Sequence, residues 1–189
     1  MSVPAPDDTA RRRRRILPTV GVALVLVVVV FGGYAVGGAL STPTGSPVEI
    51  AGVVRVQPRS GGEVAARVAE PAGVRLTRGG GSLDVVAIPF SGDAAALAQE
   101  YVGEVLEPEA SRLSVSPEVE VVRLASGLEG VRIAYVGRFG KSQTPIEGEV
   151  TAVVSPSGVG VVFDAWGPAG VLRYIVEDAR AMTDAAEVA

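Results

Sequence analysis

The chain of 189 residues contains no cysteine, no histidine and no asparagine. It therefore has no thiolate or imidazole ligands for a transition metal, no cysteine nucleophile and no histidine-based triad. Disulfides, cysteine-linked lipids and asparagine-linked glycans are excluded as well. Hard cations held by carboxylates remain the metal chemistry open to its side chains. From these absences we expect no cofactor and no enzymatic activity.

Charge is also absent from one long stretch. No charged residue occurs from Ile16 to Val48, and residues 16–40 are mostly aliphatic. About 20 apolar residues cross a hydrocarbon core of about 30 Å as a helix, so residues 16–40 are predicted to span the lipid bilayer. The alternative is a cleaved signal peptide, with Gly37-x-Ala39 as its cleavage site. The apolar stretch exceeds the usual signal core of about 7–15 residues, which favours the anchor.

Five consecutive arginines precede this segment, namely Arg11, Arg12, Arg13, Arg14 and Arg15. Arginines beside a span stay on the cytoplasmic side, so residues 1–15 are predicted to be a cytoplasmic tail at the plasma membrane. Residues 41–189 then lie outside. Residues 41–47, rich in proline, serine and threonine, are predicted to be a linker. The spacing of Gly33 and Gly37 allows two spans to approach closely, which predicts a weak homodimer.

Residues 48–189 are predicted to fold as one extracytoplasmic domain, because about 140 residues can bury a single core. Residues 41–189 carry 12 basic and 19 acidic side chains, a net charge of −7. That sign disfavours nucleic acid and anionic lipid surfaces as partners, since both attract basic patches. A protein component of the cell envelope is the partner that this placement favours.

Hydrophobic alternation predicts strands at residues 49–57, 74–77, 83–90, 118–125, 131–139, 146–154 and 159–166. Residues 63–70 are interpreted as a short helix. A second helix, capped by Ser91 or Asp93, is predicted to reach residue 107, with Leu97, Tyr101 and Val105 on its buried side. A final helix is predicted to begin at residues 167–168. The order predicts an antiparallel β-sheet with packed helices, an α+β domain.

This element order, over residues 48–187 of an exported, membrane-tethered chain, resembles the PsbP-like fold. PsbP is an extrinsic subunit of the oxygen-evolving complex, and the fold also occurs in exported LpqN-like lipoproteins. Members of the group act largely as assembly or binding modules, so the resemblance implies the same role here. The chain departs from the lipoproteins because it has no cysteine anchor. No specific motif supports the resemblance, and no functional residue is carried over from it.

The late strands supply the candidate contact surface. If Phe139 pairs with Ile146, Arg138 lies opposite Glu147, and Gly137 lies opposite Gly148 to leave a gap. The turn at residues 155–158 leaves two registers open: a type I turn with a glycine bulge, or a four-residue loop.

The four-residue loop would place Glu149 opposite Asp164 and Glu147 opposite Trp166. A carboxylate pair of that kind could bind a hard cation or hold one raised pKa.

Three functions follow from these features. The leading hypothesis is a membrane-anchored extracytoplasmic module that binds or helps to assemble an envelope partner. Its predicted contact surface consists of Trp166, Glu147, Glu149, Asp164 and Arg138, since exposed tryptophan is favoured at binding hot spots. The second is a carrier of a small apolar ligand, held where the two glycines leave a gap. The third is an enzyme that uses Glu149 and Asp164 as acid and base.

Overall fold

The computed structural model describes residues 45–140 and 144–189. The strands in these residues are β1 (Val48–Ile50), β2 (Val54–Val56), β3 (Glu63–Val68), β4 (Ala72–Arg78), β5 (Gly81–Pro89), β6 (Ala110–Arg123), β7 (Glu129–Phe139), β8 (Ile146–Val154), β9 (Val159–Pro168) and β10 (Glu187–Val188). The helical segments are α1 (Ala94–Tyr101), a π-helical segment (Val102–Leu106), α2 (Glu107–Glu109) and α3 (Leu172–Asp184). Residues 94–109, from α1 through α2, are termed the interrupted helix.

Seven strands form one antiparallel sheet in the order β3-β4-β5-β9-β8-β7-β6, and β1, β2 and β10 form a smaller sheet. Strands β6 to β9 follow one another as a meander, and β9 then pairs with β5. The hairpin between β4 and β5 turns at Gly79 and Gly80, whose φ angles of +57° and +87° suit glycine. The predicted α+β class, with an antiparallel sheet and packed helices, is confirmed for the described residues.

Each face of the large sheet has its own hydrophobic core. On one side, termed the α3 face, the sheet packs against α3 and the small sheet through residues such as Phe163 and Met182. On the other, termed the α1 face, Val162 and Val150 pack against Leu97 of the interrupted helix. Neighbours in β9 thus lie in different cores, which explains why this strand is apolar apart from Asp164.

The interrupted helix begins as predicted, because Oδ1 of Asp93 accepts a hydrogen bond from the backbone N–H of Ala96 at 2.7 Å. Its predicted buried side is wrong at the far end. The π-helical segment widens the turn, so the apolar stripe no longer continues to Val105, which is 45% exposed. Val102 and Leu106 take the buried positions instead.

Other predicted elements differ from the structure. Residues 63–70 are not a helix: β3 spans most of them, because backbone pairing with β4 outweighs a weak helical pattern. Residues 49–57 form two strands, since Ala51 and Gly52 have positive φ angles and reverse the chain. The strand predicted at 118–125 begins earlier, at Ala110. The last helix begins only at Leu172, because residues 167–168 belong to β9.

The predictions for the N-terminal region lie outside the described residues. They concern the tail at 1–15, the span at 16–40, its Gly33 and Gly37, and most of the linker at 41–47. Within residues 45–140 and 144–189, no helix has both the length and the apolar character needed to cross a bilayer.

Candidate functional site

A groove lies between the interrupted helix and the α1 face of the sheet. It consists of two adjoining cavities of about 470 Å³ and 290 Å³, termed the outer pocket and the inner pocket. Both are bordered by Arg75, Asp84, Tyr101 and Val105. The groove exists because one short helix cannot cover a seven-stranded sheet, so side chains of β4, β5 and β9 stay accessible from this side.

The two pockets differ in their walls. The outer pocket is lined largely by aliphatic side chains, among them Val68, Val86, Ile88 and Val162. The inner pocket is lined by four aromatic side chains, Tyr101, Tyr135, Phe139 and Trp166. Apolar walls with few polar groups are typical of sites that bind small molecules or anchoring side chains of a partner.

Two aspartates stand side by side between the pockets. Asp84 of β5 lies directly opposite Asp164 of β9 in the sheet register. Asp84 is neutralised by Arg75, whose Nε and Nη2 donate to its two oxygens at 2.6 Å and 2.7 Å. Nε1 of Trp166 also donates to Asp84, at 3.0 Å. The Arg75 guanidinium stands over the Trp166 ring, 5.2 Å from the ring centroid, which is a cation–π contact.

Asp164 lies in a different environment, because it is buried and its hydrogen-bond donors are neutral. The hydroxyls of Tyr135 and Tyr101 donate to its oxygens at 2.9 Å and 3.0 Å. Burial raises the pKa of Asp164 to about 7, with Asp84 adding to the rise, while the two hydroxyls and Arg75 oppose it. Burial also raises the pKa of both tyrosines, so each hydroxyl keeps its proton.

A second buried carboxylate lies on the opposite side of the sheet. Glu149 accepts two hydrogen bonds from Nε of Arg180, at 2.9 Å and 3.2 Å, and lies 3.1 Å from Nε of Arg132. Arg132 is itself buried and donates to Asp184 at 2.8 Å and to Thr151 at 3.0 Å. This network of hydrogen bonds and ion pairs connects α3 to β7 and β8. Every partner of Glu149 is a side chain of the domain itself, so the network has the character of a structural link.

No protein-family model and no curated protein matches the chain. Solved structures do. The solution structure of cyanobacterial PsbP from Synechocystis sp. PCC 6803 matches with a TM-score of 0.53 at 10% identity, over 76% of this chain and 92% of that one. LpqN of Mycobacterium tuberculosis, involved in cell envelope biogenesis, matches with a TM-score of 0.51 at 15% identity, over 78% and 86%. The Saccharomyces cerevisiae Ran-binding protein Mog1p matches with a TM-score of 0.55 at 11% identity, over 78% and 96%.

The fold is PsbP-like. The resemblance drawn from element order is thereby confirmed for PsbP and LpqN, and at these identities it extends to the fold alone.

The register of the PsbP-like domain corrects the predicted pairings in the late strands. Ile146 lies opposite Gly137, two residues from the predicted partner, so Glu147 faces Val136 and Arg138 does not pair with it. Arg138 instead lies opposite Arg112 of β6. The shift by an even number keeps each residue on its predicted face, because side chains alternate with a period of two.

The predicted gap between Gly137 and Gly148 is not formed, because the two glycines do not lie opposite each other. Gly148 lies opposite Tyr135, and a Cβ atom added at Gly148 would stand 2.1 Å from Cζ of that tyrosine. The ring of Phe139 covers Gly137 in the same way. Both positions are therefore filled by aromatic rings, and the open space is the inner pocket beside those rings.

The strand register that a four-residue loop at 155–158 would impose on β8 and β9 is also excluded. Glu149 lies opposite Ala165, and Asp164 lies opposite Val150, so the two carboxylates point to opposite faces of the sheet. They cannot share a cation or act as an acid–base pair, and the enzymatic hypothesis built on them is wrong. A carboxylate pair beside Trp166 does exist, but its second member is Asp84.

The predicted contact residues thus divide between locations. Asp164 and Trp166 lie in the groove. Glu147 accepts a hydrogen bond from the backbone N–H of Gly170 at 3.1 Å, Glu149 belongs to the structural network, and Arg138 is an exposed residue of β7.

Sequence reasoning missed Arg75, Asp84 and Tyr135 as members of the site. One signal was present for the carboxylates. Asp84 and Asp164 each interrupt a strand that is otherwise apolar, a position that aspartate rarely occupies without a specific partner. The long-range pairing of β5 with β9, which brings the two together, cannot be derived from local patterns.

Proposed function

We propose that the chain is a membrane-anchored extracytoplasmic module that binds or helps to assemble an envelope partner, and that the groove is its binding site. The observation that carries the proposal is the open cavity on the α1 face, with aliphatic and aromatic walls and a polar cluster at its centre. Two proteins of the same fold support it, because one is named as Ran-binding and the other as involved in envelope biogenesis. The arginine block and the uncharged segment 16–40 support the anchored, extracytoplasmic placement.

A site-specific photo-crosslinker tests the groove in intact cells that express the full chain. Val105 borders both pockets and is 45% exposed, and Val121 is a matched control because it is 73% exposed on the edge strand β6. We expect an adduct of defined mass from position 105, identified by mass spectrometry and absent from position 121. Equal labelling at both positions, or no adduct at 105, would refute the groove as the binding site.

The proposed topology has its own test. A protease added to intact cells should remove residues 41–189 and leave an epitope tag at the N-terminus protected. Digestion of the tag from outside contradicts the orientation, and release of a mature domain from the membrane indicates cleavage of the segment.

Co-purification of two differently tagged copies tests the proposed dimer, and Gly33→Leu should abolish it if the helices pack through Gly33 and Gly37.

The outer pocket also favours a second candidate, a carrier of a small apolar ligand. Its volume of about 470 Å³ and its aliphatic walls fall within the range of known ligand sites, about 300–1,000 Å³. Native mass spectrometry of the full chain separates the candidates: a carrier co-purifies with a small molecule of constant mass. A groove that takes a protein partner leaves the chain with its own mass in this measurement.

A further inference from the structure

The charge of Asp164 is not neutralised by any ion pair among the described residues. Its contacts are the neutral hydroxyls of Tyr101 and Tyr135, and the nearest guanidinium, on Arg75, is held by Asp84. Glu149 shows the usual alternative, since two arginines surround that buried carboxylate. A buried carboxylate without a cation is costly, and here it borders a cavity.

The inner pocket has an excess of negative charge. Three carboxylates, on Asp84, Glu109 and Asp164, border it together with one guanidinium, that of Arg75. A carboxylate or phosphate ligand would meet this excess of like charge at close range, which is unfavourable in a partly desolvated site. An apolar ligand would leave Asp164 without a counter-ion. A cation is the class that the charges favour.

The walls of the pocket suit the same class. Aromatic faces attract cations through their quadrupole, and the Arg75 guanidinium over Trp166 is an example within the pocket itself. The hydroxyls of Tyr101 and Tyr135 direct their hydrogens to Asp164, so their oxygens keep lone pairs that can accept further hydrogen bonds. A primary ammonium has three N–H donors on one small centre, which matches these acceptors.

We propose that the inner pocket binds a primary ammonium group on a short apolar stem, with Asp164 as its counter-ion through Tyr101 and Tyr135. The stem extends into the outer pocket, where Val86, Ile88 and Val162 contact it. This inference deepens the proposed function, because it assigns a ligand chemistry to the groove of the binding module. A lysine side chain of a protein partner carries this group on a four-carbon stem, whereas an ethanolamine headgroup adds a phosphate that the carboxylates of the pocket would repel.

Three probes of equal length test the preference for a cation on the purified full chain. Hexylammonium, hexanol and hexanoate have the same number of carbon atoms and differ in their polar end group and its charge. Their binding is followed by calorimetry and by the fluorescence of Trp166, the single tryptophan. We expect hexylammonium to bind at pH 8.5 at least about ten-fold more tightly than hexanol, and hexanoate more weakly than both, because hydrogen bonds to charged groups are the stronger ones. Equal affinity for the three probes, or no binding of hexylammonium, overturns the proposal.

Variants locate the site. Asp164→Asn keeps the shape of the side chain and removes its charge, so it should abolish the advantage of hexylammonium over hexanol. Asp93→Asn makes the same substitution at the helix cap, where asparagine also caps, and should leave the advantage intact. A preference that survives in Asp164→Asn refutes the role of this residue.

Lower pH is a second measure of the same contact. The groups that face Asp164 are Tyr101 from α1, Tyr135 from β7, Asp84 from β5 and Arg75 from β4. A cation favours the ionised carboxylate, so affinity for hexylammonium should fall as the pH is lowered through about 7. The amine itself keeps its proton over this range, since alkylamines such as lysine have a pKa of about 10.4. Affinity that is constant between pH 6 and 8.5 contradicts the contact.

A final pair of probes identifies the source of the amine. A blocked peptide, acetyl-Ala-Lys-Ala-amide, presents the lysine side chain, and dihexanoylphosphatidylethanolamine presents the headgroup. Binding of the peptide, lost in Asp164→Asn, supports the proposal and assigns the amine to a lysine side chain. Binding of the lipid and not of the peptide would overturn that assignment. Cross-linking at Val105 without any preference for amines would retain the binding module and overturn the amine. A preference for amines without a cross-linked partner would retain the amine site and overturn the binding module.

Discussion

Replacing Asp164 by asparagine should stabilise the protein at neutral and alkaline pH. The pKa of this carboxyl is about 7 in the folded chain, against the ordinary value of 3.8. The folded state therefore binds the proton more tightly than the unfolded state, and folding stability falls as the pH rises from about 4 to 7. A difference of about three pH units corresponds to about 4 kcal/mol, because each unit is worth about 1.36 kcal/mol.

Asparagine avoids this loss because it carries no charge at any pH. Its side-chain carbonyl can accept from one of the two tyrosines, and its amide can donate to the hydroxyl oxygen of the other. The unfolding free energies of variant and wild type should be similar near pH 4. The variant should become more stable by about 4 kcal/mol at pH 8, where the buried carboxylate of the wild type is ionised.

The measurement is urea unfolding of the full chain in a mild nonionic detergent, monitored by the fluorescence of Trp166 from pH 4.5 to 9. Asp93→Asn is the control, and its stability should stay within about 1 kcal/mol of wild type, since asparagine caps helices as well as aspartate. The reasoning is refuted if Asp164→Asn is less stable than wild type at pH 8. A difference between variant and wild type that does not change with pH refutes it too.

Two further substitutions test the packing of the sheet. Glu149→Gln should destabilise the protein by about 3 kcal/mol, because it removes the buried carboxylate that Arg180 and the buried Arg132 share. Glu129→Gln removes an exposed pair and should cost less than about 1 kcal/mol; urea unfolding at pH 7 compares the two variants. Gly148→Ala should cost about 1–3 kcal/mol because its Cβ collides with the Tyr135 ring, while Gly103→Ala meets open space and should be neutral or stabilising in thermal unfolding. Equal effects within either pair would contradict the contacts described.

The features that could be predicted from the sequence are those that depend on local patterns, such as the faces of the strands and the helix cap. The faces of β7 and β8 were correct even though their register was off by two residues, because alternation alone assigns a residue to a face. Asp93 was one of the two caps predicted, with Ser91, and it is the one observed; capping is predictable because it depends on a side chain and the backbone three residues away. The π-helical segment escaped prediction because packing against the sheet, and not local pattern, decides where a helix widens.

The candidate site depends on contacts distant in sequence, which is why only part of it was foreseen. Asp164 and Trp166 were singled out for their residue types, but the carboxylate partner of Asp164 was expected, in one of the two open registers, on the preceding strand, β8. It lies on β5, 80 residues earlier in the chain, because the meander closes back on the first half of the domain. Between β8 and β9, a single residue of slip at the turn at 155–158 decided whether Glu149 lies opposite Asp164 or Ala165.

The two buried carboxylates of the sheet show how a structural group differs from one available for binding. Glu149 is held by arginines of its own domain, so its charge is compensated in the free protein. Asp164 keeps neutral partners although Arg75 lies nearby, and its raised pKa expresses the resulting cost. Proteins retain costly groups mainly where function requires them. A cation from outside the domain would remove that cost, and for this reason we place the binding site at Asp164 and not at the more strongly paired Glu149.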